Sequence, residues 1–264
     1  NGNNTALGYY AGALMTTGVE NTIIGSLAGD ALTTGNDNIA VGVNALSTED
    51  AHGRNVAIGR DALKLQNAGA DAYNTAVGYV AGANVTTGIQ NTLIGGLAGD
   101  SLTTGATNVA IGYQALSTED TGTASVAIGA FALKLQNYNG NAYNVAIGHD
   151  AGKSITTGDL NTLVGGEAGD SLTTGSRNVA VGTSALATED ANGRNTAVGY
   201  AALNAQNAGA DAYNAAVGYN AGLNVTTGIK NTIVGGQAGD ALTEGDNNII
   251  IGYAAAASAV DVDN

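Results

Sequence analysis

The sequence predicts an all-β fold, a parallel β-solenoid of about 15 turns. Three observations carry that expectation. The segment NTIIGSLAGDALTTG, beginning at Asn21, returns as NTLIGGLAGDSLTTG, NTLVGGEAGDSLTTG and NTIVGGQAGDALTEG at Asn91, Asn161 and Asn231, a period of 70 residues. Within that period a shorter unit, Asn-apolar-apolar-apolar-Gly-x-x-Ala, starts 15 times between positions 4 and 248, with spacings that cycle through 17, 17, 17 and 19 residues. The 264 residues also include 41 Gly and no Pro, which suits a chain whose backbone N–H groups are committed to β-ladders. A fixed period is the mark of a repeat architecture, and helical repeats need ~30–47 residues per unit. Seventeen residues fit one solenoid turn, expected to hold two short strands and glycine-bearing corners.

Each part of the unit has a physical reason. The glycine after the apolar triplet, from Gly8, Gly25 and Gly42 through to Gly252, holds in all 15 units and suits a corner needing positive φ or close backbone approach. The opening Asn holds in 14 of 15, with Ser125 the exception. Stacking places each Asn over the last, so Asn21, Asn38, Asn55, Asn74, Asn91, Asn108, Asn144, Asn161 and Asn178 are expected to form a hydrogen-bonded ladder, as stacked amides do in cross-β assemblies. The invariant Ala (Ala11, Ala28, Ala45 through Ala255) marks a place with room for one methyl. One solenoid domain is expected over residues 1–256, ~70 Å long at ~4.8 Å per turn. Residues 257–264 read as a tail leading to a further segment. The chain opens in mid-pattern without Met and without a signal peptide, as a piece of something longer does.

Side chains alternate along a strand. In NTAVG or NVAIG the second and fourth positions share one face, and the third takes the other. The fourth is always Ile, Val or Leu, and the third is Ala, Ile or Leu. Both faces are therefore apolar, the pattern of a strand covered on both sides. A slender solenoid has only one inside, so lengthwise self-association is expected, as a parallel homotrimer in preference to a flat sheet dimer.

Composition sets further bounds. The formal net charge of −14 argues against nucleic acid, whose phosphates call for a basic stripe, and against docking on anionic lipid. No stretch approaches the ~18 apolar residues of a membrane span, so no membrane insertion is expected. The absence of Cys removes disulfide frameworks and Cys-ligated metal sites.

Runs such as NTAVGYNAGLNVTTGIKNTIVGGQAG, from Asn214 to Gly239, resemble the head repeats of YadA-type trimeric autotransporter adhesins. They resemble still more closely the repeat shafts of bacteriophage tail fibres that carry an endosialidase-type chaperone. The likeness covers residues 4 to about 256. It implies a left-handed β-roll, a trimer, and display outside a cell or on a virion. The turns are longer than the compact adhesin turn, and no chaperone sequence is read up to Asn264, which leaves open whether one belongs to the full protein.

Candidate chemistry is sparse, and no catalytic residue, metal or cofactor is expected. His52 and His149 occupy unrelated turns and read as solvated loop residues; no Ser, His and Asp recur with nucleophile spacing, so no triad is supported. Asp30, Asp100, Asp170 and Asp240 recur after Ala-Gly and read as turn caps. Glu49 and Asp50 with Arg54, and Glu189 and Asp190 with Arg194, are expected as surface ion pairs; Ala124 replaces the Arg in the middle copy. The 19-residue turn is the best candidate for contact with a partner. It reads LKLQNAGADAY, LKLQNYNGNAY or LNAQNAGADAY, and its loop ends in Tyr73, Tyr143 and Tyr213, with Asp71, Asn141 and Asp211 before them and Gln66, Gln136 and Gln206 nearby. Amide, carboxylate and tyrosine suit sugar hydroxyls and ring faces, and loops ~19 Å apart suit weak multivalent contact with a cell-surface glycan or receptor. The expected function is a structural, extracellular fibre segment of a phage tail fibre or related adhesin. The alternatives are a trimeric autotransporter-like adhesin or self-assembling filament, then an ice-binding solenoid using pairs such as Thr16-Thr17 and Thr86-Thr87, then a polysaccharide depolymerase.

Overall fold

The computed structural model describes residues 2–256, so the tail expected at 257–264 lies outside the described residues. The described chain is all-β and has no helix; it carries fifteen strands of three residues, one per repeat. They run from β1 (Thr5–Leu7), β2 (Thr22–Ile24), β3 (Ile39–Val41) and β4 (Val56–Ile58) to β15 (Ile249–Ile251). The chain divides into two compact units. The first holds β1 to β8 (Val126–Ile128), ends at Ala130 and takes in Asn137–Asn141. The second comprises Phe131–Gln136 and the chain from Ala142, and holds β9 (Val145–Ile147) to β15. Within each unit every strand pairs in parallel with the next. Ala40 stands opposite Ile23 on one side and Ala57 on the other, and Leu163 stands opposite Ala146 and Ala180. Each unit is a β-solenoid.

The expectation of two strands per turn is corrected. After the strand and its glycine, the backbone runs through consecutive tight turns instead of a second extended segment. Ala11 N–H donates to Gly8 O at 3.3 Å, and Ala13 N–H to Tyr10 O at 3.2 Å. Tyr10 (φ 55°) and Gly12 (φ 58°) are the third residues of these turns, which makes both type II. Intervening amides point sideways: Gly12 N–H reaches Ala28 O at 3.0 Å, and Leu27 N–H reaches Tyr9 O at 2.8 Å. The segment is bonded from turn to turn as a sheet is, but without extended dihedrals. This second bonding row is why Pro, which lacks the N–H, is absent.

The corner glycine behaves as expected. Gly112 has φ +138°, and a methyl group there would lie 2.4 Å from Gly129 O. Only a residue without Cβ lets neighbouring turns approach so closely.

Strand centres point inward, and the two flanking residues are half-buried or exposed. The core explains why the full period is four turns and not one. In the second turn of a cycle the strand centre is large (Ile23, Leu93), and the position eight residues after the ladder Asn is Gly29 or Gly99. In the third and fourth turns the centre shrinks to Ala (Ala40, Ala57, Ala110), and the eighth position becomes buried Leu46, Leu63 or Leu116. In the first turn both positions are small, and neighbours fill the space: a methyl on Gly82 would sit 2.6 Å from Leu93 and 3.1 Å from Leu63. Volume is handed between two positions while the total stays packed, as close-packed interiors demand.

Candidate functional site

The polar core is the Asn ladder, and it works through the backbone more than by amide stacking. Asn21 Oδ1 accepts the backbone N–H of Asn38 at 2.9 Å, and Asn21 Nδ2 donates to Gly35 O at 2.8 Å. The same pair of bonds recurs at Asn91, Asn108 and Asn161, and Asn178 Oδ1 accepts Asn195 N–H. Asn74 and Asn144 each give Nδ2 to a glycine carbonyl fourteen residues on and to the side-chain oxygen of Gln66 or Gln136. All of these Asn are buried. At Asn55 and Asn195, which open wide turns, Nδ2 has no partner. The two inserted residues put Gly69 or Gly209 of the outer loop fourteen residues on, and the carbonyl used elsewhere moves out of reach. Ser125 opens a wide turn too. The one departure from Asn thus falls where the amide nitrogen has nothing to bind.

The wide-turn residues do not all reach the surface. Tyr73, Tyr143 and Tyr213 are 53%, 54% and 52% exposed. Gln66, Gln136 and Gln206, expected near a sugar, are fully buried; Gln206 Oε1 accepts from Asn214 Nδ2 at 2.6 Å. Their place in the turn is the core position held by Leu32 and Val85 in narrower turns, which removes them from any surface contact. Asp71 and Asp211 are tied down: each Oδ1 accepts a glycine N–H, from Gly53 at 3.1 Å and Gly193 at 3.2 Å. Each Oδ2 pairs with the guanidinium of Arg54 or Arg194. Those guanidiniums also stand over Tyr73 and Tyr213, 5.6 and 5.3 Å from the ring centres, within cation–π range. Asn141 takes the equivalent bond from the Thr123 hydroxyl.

The expected ion pairs of Arg54 and Arg194 are therefore corrected. Both pair with the aspartate of the following wide turn, and Arg54 also lies 3.7 Å from Asp37 of the preceding turn, while Glu49, Glu119 and Glu189 are buried in the core. Those glutamates occupy the core position of Leu32 and Leu102. Aligning the turns column by column would have found them, because one column then reads Leu, Glu, Gln, Val. Burial pushes the Glu49 and Glu189 carboxyls above the ordinary glutamate range, with hydrogen bonds from His52 and Asn192 opposing it.

Other expectations sort as follows. His149 is exposed beside Asp150 at 3.1 Å, whereas His52 Nδ1 lies 3.8 Å from Glu49. Glu49, Asp50 and His52 each bring one metal-ligand atom within 4.8 Å of the others. Gly122 and Asn192 replace the His in the other cycles, so this trio is not repeated. The side chains of Asp30, Asp100, Asp170 and Asp240 leave Oδ1 buried without a hydrogen bond, so that atom caps no turn. Of each Thr pair, the first hydroxyl is spent on the next turn: Thr16 on Thr33 O at 3.1 Å, Thr86 on Thr103 O at 3.2 Å. One exposed aromatic row was not foreseen. The residue after the corner glycine is Tyr79 and Tyr113 in the first unit, and Tyr200 and Tyr219 in the second, all about half-exposed. The last two rings stack at 5.4 Å. No helix among the described residues is long and apolar enough to cross a membrane. No protein-family model, curated protein or solved structure matches the chain.

Proposed function

We propose that the chain is a segment of an extracellular fibre, of the phage tail-fibre or surface-adhesin kind, assembled lengthwise as a parallel homotrimer. It holds, or contributes to, attachment to a cell-surface glycan or receptor. One observation carries the reading. Within each unit the third strand positions stack as an apolar Ile, Val and Leu column beside a mixed column of Thr, Val, Ile and Ala. Ile39, Ile58 and Ile94 in the first unit and Ile147, Val217 and Val234 in the second are more than a third exposed. Contiguous apolar surface of this kind marks an interaction face, and a repeating face is best met by an identical one in register.

Attachment is tested on a glycan array with the assembled protein. Binding is expected, with the combined Tyr73→Ala, Tyr143→Ala and Tyr213→Ala variant losing at least ~10-fold through reduced avidity. Unchanged binding in that variant, lost instead in Tyr79→Ala with Tyr113→Ala, would move the contact to the corner row. No glycan or host-cell binding by the wild-type chain would leave a spacer and overturn the attachment role.

A further inference from the structure

We infer that the buried glutamates of the third turn make this core an acid-strengthened one, in which Glu49 and Glu189 take up protons while folded and the solenoid gains stability as the pH falls. The inference goes beyond the proposed function and does not depend on the oligomeric state.

The geometry comes first. Glu49 and Glu189 are wholly inaccessible to solvent, in a column that, apart from Glu119, holds Met, Leu, Ile, Val and Gln. One oxygen of each accepts a backbone N–H of its own turn, from His52 at 3.2 Å and Asn192 at 3.3 Å. The other oxygen, Oε2, is buried and has no hydrogen-bond partner. Glu119 is arranged differently. Its Oε1 accepts Gly122 N–H at 2.8 Å and its Oε2 accepts Tyr138 N–H at 3.1 Å, so both of its oxygens are hydrogen-bonded.

The charged surroundings do little to hold Glu49 and Glu189 ionised. On its own turn Glu49 faces Asp50, which opposes ionisation, and His52, which favours it. Arg54, at the end of that turn, is engaged by Asp71 from the following turn and Asp37 from the preceding one. Glu189 faces Asp190 and the neutral Asn192, and Arg194 is engaged by Asp211. Glu189 has no cation beside it, and at Glu49 the one basic group is His52, whose Nδ1 lies 3.8 Å from Oε1 and leaves Oε2 unpaired. A buried carboxylate with an orphaned oxygen is stabilised by a proton.

The sign follows from linkage. A carboxyl whose folded value is raised binds its proton more tightly folded than unfolded. Its contribution is fully present below the ordinary glutamate value of 4.5 and is lost as the pH rises through the higher folded value.

The test compares melting temperatures between pH 7.5 and 4.5 for wild type, for Glu49→Gln with Glu189→Gln, and for Glu20→Gln with Glu167→Gln, a control that removes two exposed charges. Wild type and control are expected to rise on acidification. The Glu49/Glu189 variant should show a rise smaller by at least ~2 °C. If the glutamine variant does not fold, Glu49→Leu with Glu189→Leu takes its place, since Leu fills this position in neighbouring turns. Side-chain carboxyl carbon shifts of the wild type give a direct readout, with midpoints for Glu49 and Glu189 above those of exposed glutamates. Parallel melting curves for the two double variants, or midpoints no higher than the exposed ones, overturn the inference.

Discussion

Gly112→Ala is expected to destabilise the chain by at least ~4 kcal/mol, because two separate penalties meet at one atom. The φ of +138° lies in a region nearly closed to residues with a Cβ, and that Cβ would sit 2.4 Å from Gly129 O. The obstacle is backbone, held in place by Gly129 N–H donating to Ile111 O at 2.7 Å, so no rotamer change relieves it. Relief requires two neighbouring turns to separate, and separation breaks the row of bonds on either side. A loss of this size is a large part of the ~5–15 kcal/mol that ordinarily holds a domain together. Gly69→Ala provides the contrast. Gly69 has φ +70° and nothing within 4 Å of the added methyl, so only the left-handed penalty of ~1–2 kcal/mol applies. Urea unfolding midpoints of the two variants should differ widely, and equal midpoints would sink the account of the corner.

Asn91→Ala is the second large effect. Asn91 Oδ1 accepts the backbone N–H of Asn108 at 3.0 Å, and Nδ2 donates to Gly105 O at 2.9 Å and to Asn74 Oδ1 at 3.2 Å. Alanine would leave a buried N–H and a buried C=O without partners. At ~1–3 kcal/mol for each orphaned group, the expected cost is ~2–6 kcal/mol. Asn55→Ser should behave differently. Asn55 Nδ2 already lacks a partner, and only Oδ1 is used, by Asn74 N–H at 3.1 Å. That change is expected to cost ~1 kcal/mol, one hydrogen bond's worth, in line with Ser125 standing at the corresponding place. The same unfolding experiment ranks the two. If Asn55→Ser costs as much as Asn91→Ala, the explanation of Ser125 is wrong.

Much of the fold was legible in the sequence because the repeat supplies fifteen readings of one turn. The strand, the corner glycine and the ladder Asn keep fixed places in that pattern, and each imposes a local demand that few residues meet. The second half of the turn was misread as a strand. Its dihedrals depend on type II turns that tolerate Tyr10, Leu27 and Asn44 at positive φ, and non-glycine residues give no warning of that. The site residues were harder for a different reason. Gln66 and Glu49 look like surface residues by type, and only their column, shared with Leu32, reveals that they point inward. The Arg54–Asp71 pair joins residues 17 apart, one turn to the next, whereas the nearer Glu49 and Asp50 were favoured by proximity in sequence. Reading across turns is the correction that applies to both errors.

The proposed trimer would cover the outward apolar positions of the strands in each unit. Sedimentation or mass photometry at nanomolar concentration is the most direct test. A single species at three times the mass of one chain is predicted, persisting on dilution. A stable, folded monomer under the same conditions would contradict the central claim, since it would show that the outward apolar positions tolerate water.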